Sequence, residues 1–288
     1  MEECLHEASR DAKQRPTART LAVRVLVGVV LIPVVLLVTH IGGLAYTGFV
    51  AALAALGAYE FTGMAARAGW RPSRPAAVVG SACGVLSFHF GNGALPIHVL
   101  TCLVGVVLVE RMVRSAREHY LTGVGATLIG AAYAGWLLGY FVWLRRLEPG
   151  AAGSGAFLVY FVLVITWAYD SVAYLVGSLV GRHKLLPRVS PSKTVEGTAG
   201  GLVGAVVAGL ASQATFAPFF GRVEAAILGL ALGVIAQAGD LVESMMKRAM
   251  GAKDSSNMIP GHGGFLDRFD SLLFAGPAFY LYLRLAAW

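Results

Sequence analysis

The sequence predicts an all-α, polytopic integral membrane helix bundle of about nine transmembrane helices, and three observations carry that reading. Hydrophobic residues make up 57% of the 288-residue chain and charged residues only 14%, against about 25% charged in a soluble globule. The mean hydropathy is +0.68. Apolar runs of about 17 to 25 residues, enough to cross a hydrocarbon core about 30 Å thick, recur along the whole chain with polar loops between them. No stretch remains for a soluble domain.

Residues 1–20 form a basic tail, expected to be cytoplasmic and either disordered or in contact with headgroups. The runs then fall at 21–39, 43–63, 76–92, 96–113, 122–143, 156–180, 198–219, 224–247 and 269–287. The first is expected to be a retained span and not a signal peptide, because further spans follow it and no small-residue cleavage site does. Residues 21–155 make an N-terminal set of helices. Residues 156–288 make a C-terminal set with two rich polar loops, 181–197 and 248–268. Among the 36 glycines, Gly177/Gly181, Gly200/Gly204 and Gly229/Gly233 have the small-xxx-small spacing that lets helices approach closely in lipid, or that merely fills a loose interface.

Loop charge orients the bundle. With the N-terminus in the cytoplasm, eighteen of the 23 lysines and arginines fall on that side, against Arg145, Arg146, Arg222 and Arg284 opposite and Arg24 within the first run. Both polar loops then face the cytoplasm and can converge. The net charge of +7 is largely topology plus sites for anionic headgroups or phosphates, which argues against nucleic-acid binding. Cys4, Cys83 and Cys102 share no metal-ligand spacing.

The first polar block opens inside the membrane, where Asp170 follows the run 161–169 and shares a helical face with Tyr174, Gly177 and Gly181. An intramembrane carboxylate marks function, or pairs with a loop cation. Beyond it, Ser190-Pro191-Ser192-Lys193-Thr194-Val195-Glu196-Gly197 leads into a glycine-rich helix. Hydroxyls, a lysine and exposed N–H groups at a helix start suit a phosphate cradle. They equally suit a helix N-cap beside ordinary positive-inside cations. The spacing is not that of a Walker A loop.

In the second block, Asp240, Ser244 and Lys247 stand at i, i+4 and i+7 on one helical face, with Glu243 beside them. A charged Asp240 in apolar surroundings costs about 3 kcal/mol unless a cation compensates. Asp267 and Asp270 can cap the last helix, yet capping explains one acid and not two that face the loop of Asp240. Hard oxygen donors of this kind suit Mg²⁺, which takes one or two carboxylates and completes its shell with water and substrate phosphates. Gly261, Gly263 and Gly264 around His262 allow positive φ and an anion-binding nest. His262 is an acid/base or phosphate-contacting candidate, or a solvated loop residue. Lys247, Arg248, Lys253 and Arg268 supply the positive charge a polyphosphate requires.

The run Ser244-x-Met246-Lys247-Arg248-x₄-Lys253-Asp254-x-Ser256-x₂-Ile259-Pro260-x-His262-Gly263-Gly264-Phe265-x-Asp267-Arg268-Phe269-Asp270 resembles the signature of the phosphatidate cytidylyltransferases, the CDP-diacylglycerol synthases. Asp170-x-x-Ala173-Tyr174-x-x-Gly177 and Ser190-Pro191-Ser192-Lys193-Thr194-x-Glu196-Gly197 also resemble blocks of that family. The resemblance covers the C-terminal part; the N-terminal half is similar only in being a set of hydrophobic spans. It implies a dimeric membrane enzyme that converts CTP and phosphatidate to CDP-diacylglycerol and pyrophosphate in phospholipid biosynthesis, with Mg²⁺ and a second cation such as K⁺. By position, Asp240 and Asp267 match the metal-holding acids. Lys193, Ser244, Lys247, Arg248, Lys253, Asp254, His262, Arg268 and Asp270 match the catalytic set, and Asp170, Ser190, Ser192, Thr194, Glu196, Gly197, Gly263 and Gly264 are assigned to substrate binding. A multi-pass protein of a bacterial plasma membrane, with its site facing the cytoplasm, is expected.

Two other classes remain open. A cytidylyltransferase or kinase acting on another lipid would use the same phosphate cradle and metal. Intramembrane carboxylates also occur in transporters, although here the acids cluster at one face and no inverted repeat is evident.

Overall fold

The structure, a computed structural model, describes residues 18–91, 93–114, 117–147, 155–256, 258 and 263–286, with side chains described from residue 28 onward. His262, Gly261 and most of the 1–20 tail lie outside the described residues. Among the described residues the chain is all-α apart from one short hairpin. Its helices are α1 (Ala18–Ile41), α2 (Gly43–Arg67), α3 (Arg74–Phe90), α4 (Leu95–Arg114), α5 (Tyr120–Ala131), α6 (Leu137–Arg146), α7 (Gly155–Val180), α8 (Val195–Thr215), α9 (Arg222–Ala249) and α10 (Leu266–Leu285). A π-helical turn, Ala132–Trp136, joins α5 and α6 into one rod. Among the described residues these make nine rods, one for each apolar run, and six are long and apolar enough to cross a membrane.

The order of the rods places the two polar blocks at one end. Helix α7 runs down to that end, the 181–194 segment turns there, and α8 returns; α9 arrives next, and α10 departs from it. Helix α7 packs along α8, α8 along α9, and α9 along α10. At the opposite end Arg145 donates to the carbonyls of Thr39 (2.6 Å) and His40 (2.9 Å), and Arg146 donates to that of His89. Two of the four basic residues that depart from the charge asymmetry therefore satisfy carbonyls in the last turns of α1 and α3, which have no intrahelical partner.

Between lipid-facing helices the driving force is close packing, not apolar burial. All three glycine pairs lie at such contacts. At Gly197 a Cβ would fall 2.8 Å from the Ala173 carbonyl oxygen and 3.1 Å from Gly177 Cα, so the α7–α8 crossing closes only because neither residue carries a side chain. Gly197→Val is expected to cost about 1–3 kcal/mol through overpacking. A lowered thermal unfolding midpoint in detergent checks this, and an unchanged midpoint contradicts it.

The polar segment 181–197 is not a plain loop: Val195, Glu196 and Gly197 already belong to α8, and the residues before them are ordered. Residues 184–194 form an antiparallel hairpin, β1 (Lys184–Leu186) and β2 (Ser190–Thr194), with Lys184 opposite Thr194 and Leu186 opposite Ser190. Thr194 ends β2 and caps α8, its Oγ1 accepting from Gly197 N at 3.1 Å.

Candidate active site

A cavity of about 480 Å³ opens at this end between α7, β2, the start of α8, the end of α9 and the start of α10. Each wall brings residues from a separate part of the sequence. Helix α7 contributes Asp170, Tyr174 and Gly177; the hairpin and α8 contribute Ser192, Lys193, Thr194 and Gly197; α9 contributes Asp240 and Lys247. Asp254, Asp267, Arg268 and Asp270 complete the lining. The two polar blocks thus meet in one site.

The ion pairs inside it cross between elements. Lys193 Nζ lies 2.5 Å from Asp240 Oδ2, joining the hairpin to α9. Ser244 Oγ donates to Asp240 Oδ1 at 3.4 Å, as expected for residues one turn apart. Lys247 Nζ lies 2.6 Å from Asp267 Oδ1 and 3.3 Å from Glu243 Oε1. Asp267 Oδ2 also accepts from Ser255 N at 3.0 Å, Ser255 Oγ at 2.9 Å and Gly264 N at 2.9 Å. Ser271 Oγ reaches both Asp170 and Asp270 at 3.4 Å.

Other residues singled out from the sequence stand around the cavity without lining it. Glu196 accepts from the N–H groups of Arg182 (3.1 Å) and His183 (3.2 Å) and from the His183 ring (2.6 Å), which pins the hairpin's entry. Ser190 is buried beside Ser192, with the two hydroxyls 3.4 Å apart. Arg248 donates to the Ala252 carbonyl at 3.1 Å. Gly263 has the expected positive φ, +80°. Gly264 N, however, donates to the protein's own Asp267, and the Phe265 and Leu266 N–H groups that follow the glycines donate to Glu60.

Sequence reasoning passed over Glu60, Gln237 and Thr198. Gln237 and Thr198 line the cavity, and Gln237 accepts a hydrogen bond from the Tyr169 hydroxyl. The available signal was a polar side chain inside an apolar run, the feature that singled out Asp170.

Among the described residues no three His, Cys, Asp or Glu side chains converge into a preformed metal cluster. The donor set nevertheless fits a hard cation. Five aspartates line the cavity against Lys193, Lys247 and Arg268, and Glu243 is buried behind them, its Oε1 3.3 Å from Lys247 Nζ. A polyphosphate added to that surplus of negative charge requires cations beyond the three on the protein.

Buried charge of both signs around an open cavity, at one end of an apolar bundle, defines a membrane-embedded polar site. The chain belongs to the Cytidylyltransferase family, whose sequence model matches residues 22–286. Over 267 residues it is 34% identical to a phosphatidate cytidylyltransferase of Brucella abortus, covering 91% of this chain and 93% of that protein. A phosphatidate cytidylyltransferase of Bacillus subtilis is 43% identical over 162 residues, 56% of this chain and 59% of that protein. An uncharacterised Escherichia coli protein, YnbB, is 39% identical over 161 residues, and the match covers 54% of each chain. The chain thus spans little more than half the length of these last two relatives. The Brucella match and the family model both extend the likeness into the N-terminal helices, beyond the C-terminal blocks where sequence motifs had located it.

Proposed function

We propose that the chain transfers the cytidylyl group of CTP to phosphatidate, giving CDP-diacylglycerol and pyrophosphate. What carries this reading is the single cavity in which the two polar blocks of the family meet, with carboxylates and cations lining one chamber. A phosphate oxygen of phosphatidate attacks the α-phosphorus of CTP. The bond from that phosphorus to the oxygen bridging to the β-phosphate breaks, and pyrophosphate leaves with the electron pair. The attacking oxygen is already anionic, so no side-chain nucleophile or strong base is needed, in keeping with a lining that offers no Ser–His–Asp arrangement among the described residues.

The protein's part is positioning and charge neutralisation. Lys193 and Lys247 hold phosphate oxygens when released from Asp240 and Asp267, with Arg268 and Arg248 as further phosphate contacts. Ser192 and Thr194 offer hydroxyls from the hairpin. Asp240 and Asp267 would hold the cations, Mg²⁺ and a second one such as K⁺, and Mg²⁺ would supply Lewis-acid polarisation of phosphate oxygens when bound.

In this reading all nine rods cross the membrane with the N-terminus and the cavity on the cytoplasmic side of a bacterial plasma membrane. CTP enters from the cytosol, and phosphatidate reaches the cavity sideways past Tyr174 and Gly177 of α7. Residues 156–288 carry the chemistry, residues 21–155 support it, and the protein works as a homodimer. Purified protein supplied with phosphatidate, Mg²⁺ and CTP labelled separately in the cytidine and in the γ-phosphate tests the reaction. Cytidine label is expected in the lipid fraction, with γ-label released as pyrophosphate. Label from the γ-phosphate in the lipid would mean a kinase, and no label in the lipid would remove phosphatidate as acceptor.

A further inference from the structure

We infer that Glu60 on α2 is a positioning residue for the site: it caps α10 from another helix and so holds Asp267 in place. The kinetic part of this inference rests on the proposed cytidylyl transfer; the geometric part does not. Glu60 is 2% exposed and sits within the apolar run of α2. Its carboxylate gathers four donors, all from residues near 255–266. Oε1 accepts from Ser256 Oγ at 2.5 Å and Phe265 N at 2.9 Å; Oε2 accepts from Ser255 Oγ and Leu266 N, both at 2.9 Å.

The first N–H groups of any helix lack intrahelical partners, and that end of the helix carries a partial positive charge. Helix α10 has no side-chain cap of its own at Phe265. Asp267 is the one acid in its first turn, and Glu60 supplies the acceptor for the Phe265 and Leu266 N–H groups across sequence separations of 205 and 206 residues. Ser255 then extends the link, because its Oγ also lies 2.9 Å from Asp267 Oδ2. A hydroxyl has one proton, so Ser255 serves the two carboxylates in turn. Two turns further along α2, Arg67 donates to the Ser255 carbonyl at 3.2 Å, so two side chains of α2 grip this segment. Gly264 leaves room for the clamp, since a Cβ there would fall 2.6 Å from Glu60 Oε2. Glu60 touches none of the cavity-lining acids directly and acts through Ser255 and the first turn of α10.

The test uses the full chain in detergent, as wild type, Glu60→Gln, Glu60→Asp and Ser256→Ala. Glutamine keeps the size of Glu60 but presents an NH₂ to two of the four donors. Glu60→Gln is expected to speed hydrogen exchange at Phe265 and Leu266 and to lower kcat roughly 10- to 100-fold, with KM for CTP changed far less and half-saturating Mg²⁺ raised. Glu60→Asp should fall between wild type and Glu60→Gln, and Ser256→Ala should show the same pattern more weakly. Unchanged exchange at residues 265–266, or wild-type kcat and Mg²⁺ response per folded molecule whatever the unfolding midpoint, would overturn the inference. Should Glu60→Gln not fold, Ser256→Ala decides it by the same readouts. If the wild type itself fails to turn over CTP, the reaction assigned above is wrong, and faster exchange confined to the start of α10 still upholds the clamp.

Discussion

Asp267→Asn is expected to leave a folded protein whose turnover is lower by a factor on the order of 10² or more. Asp267 is the most heavily engaged acid of the site: Lys247 holds one oxygen, and Ser255 and Gly264 hold the other. Asparagine preserves the shape but turns an NH₂ toward either an ammonium group or two N–H donors. Lys247 loses its closest anion, and the cavity loses one of two carboxylates proposed to hold Mg²⁺. Turnover at saturating Mg²⁺, read beside the thermal unfolding midpoint, checks this. Near-normal turnover would take Asp267 out of the metal site and leave it as a cap for α10 alone.

The second large effect is expected at Asp240. This carboxylate is tied to Lys193 at 2.5 Å and to Ser244 at 3.4 Å, and no backbone N–H of the described residues donates to it. It is therefore freer than Asp267 to exchange a lysine for a cation. Asp240→Ala is expected to raise half-saturating Mg²⁺ roughly 10- to 100-fold and to flatten the response of rate to metal. It also leaves the Lys193 ammonium, at 19% side-chain exposure, without its anion, so some loss of stability accompanies the change. A metal titration that superimposes on that of the wild type would mean that Asp240 and Lys193 form a structural pair between the hairpin and α9.

Why these two acids could be picked out of the sequence, while Glu60 could not, comes down to the range of their interactions. Asp240, Ser244 and Lys247 announce themselves by helical spacing, and Asp267 by its place at the start of an apolar run. The nine rods were equally legible, because each follows a long local apolar run, and six of them are long and apolar enough to cross a membrane. Their ends were less so. Helix α10 begins at Leu266, three residues before the apolar run, so Asp267 and Arg268 belong to a helix and not to the preceding loop. Helix α8 likewise begins at Val195, where Thr194 caps it. The hairpin escaped notice because strands of three and five residues are too short to show a period. Glu60 has no local motif at all: its four donors lie 195 to 206 residues away, and only the tertiary fold brings them together. The same holds for the pairing of Asp240 with Lys193 and of Asp267 with Lys247, each lysine coming from another element.

The most direct test of the account is an experimental structure of the full chain with Mg²⁺ and a non-hydrolysable CTP analogue. The triphosphate should lie in the cavity between α7, the hairpin, α9 and α10, within hydrogen-bond reach of Lys193 and Arg268, with metal density against Asp240 and Asp267 and the lysine pairs of both acids opened. A nucleotide bound elsewhere, or bound in the cavity with both lysine–aspartate pairs closed and no metal beside them, would contradict it.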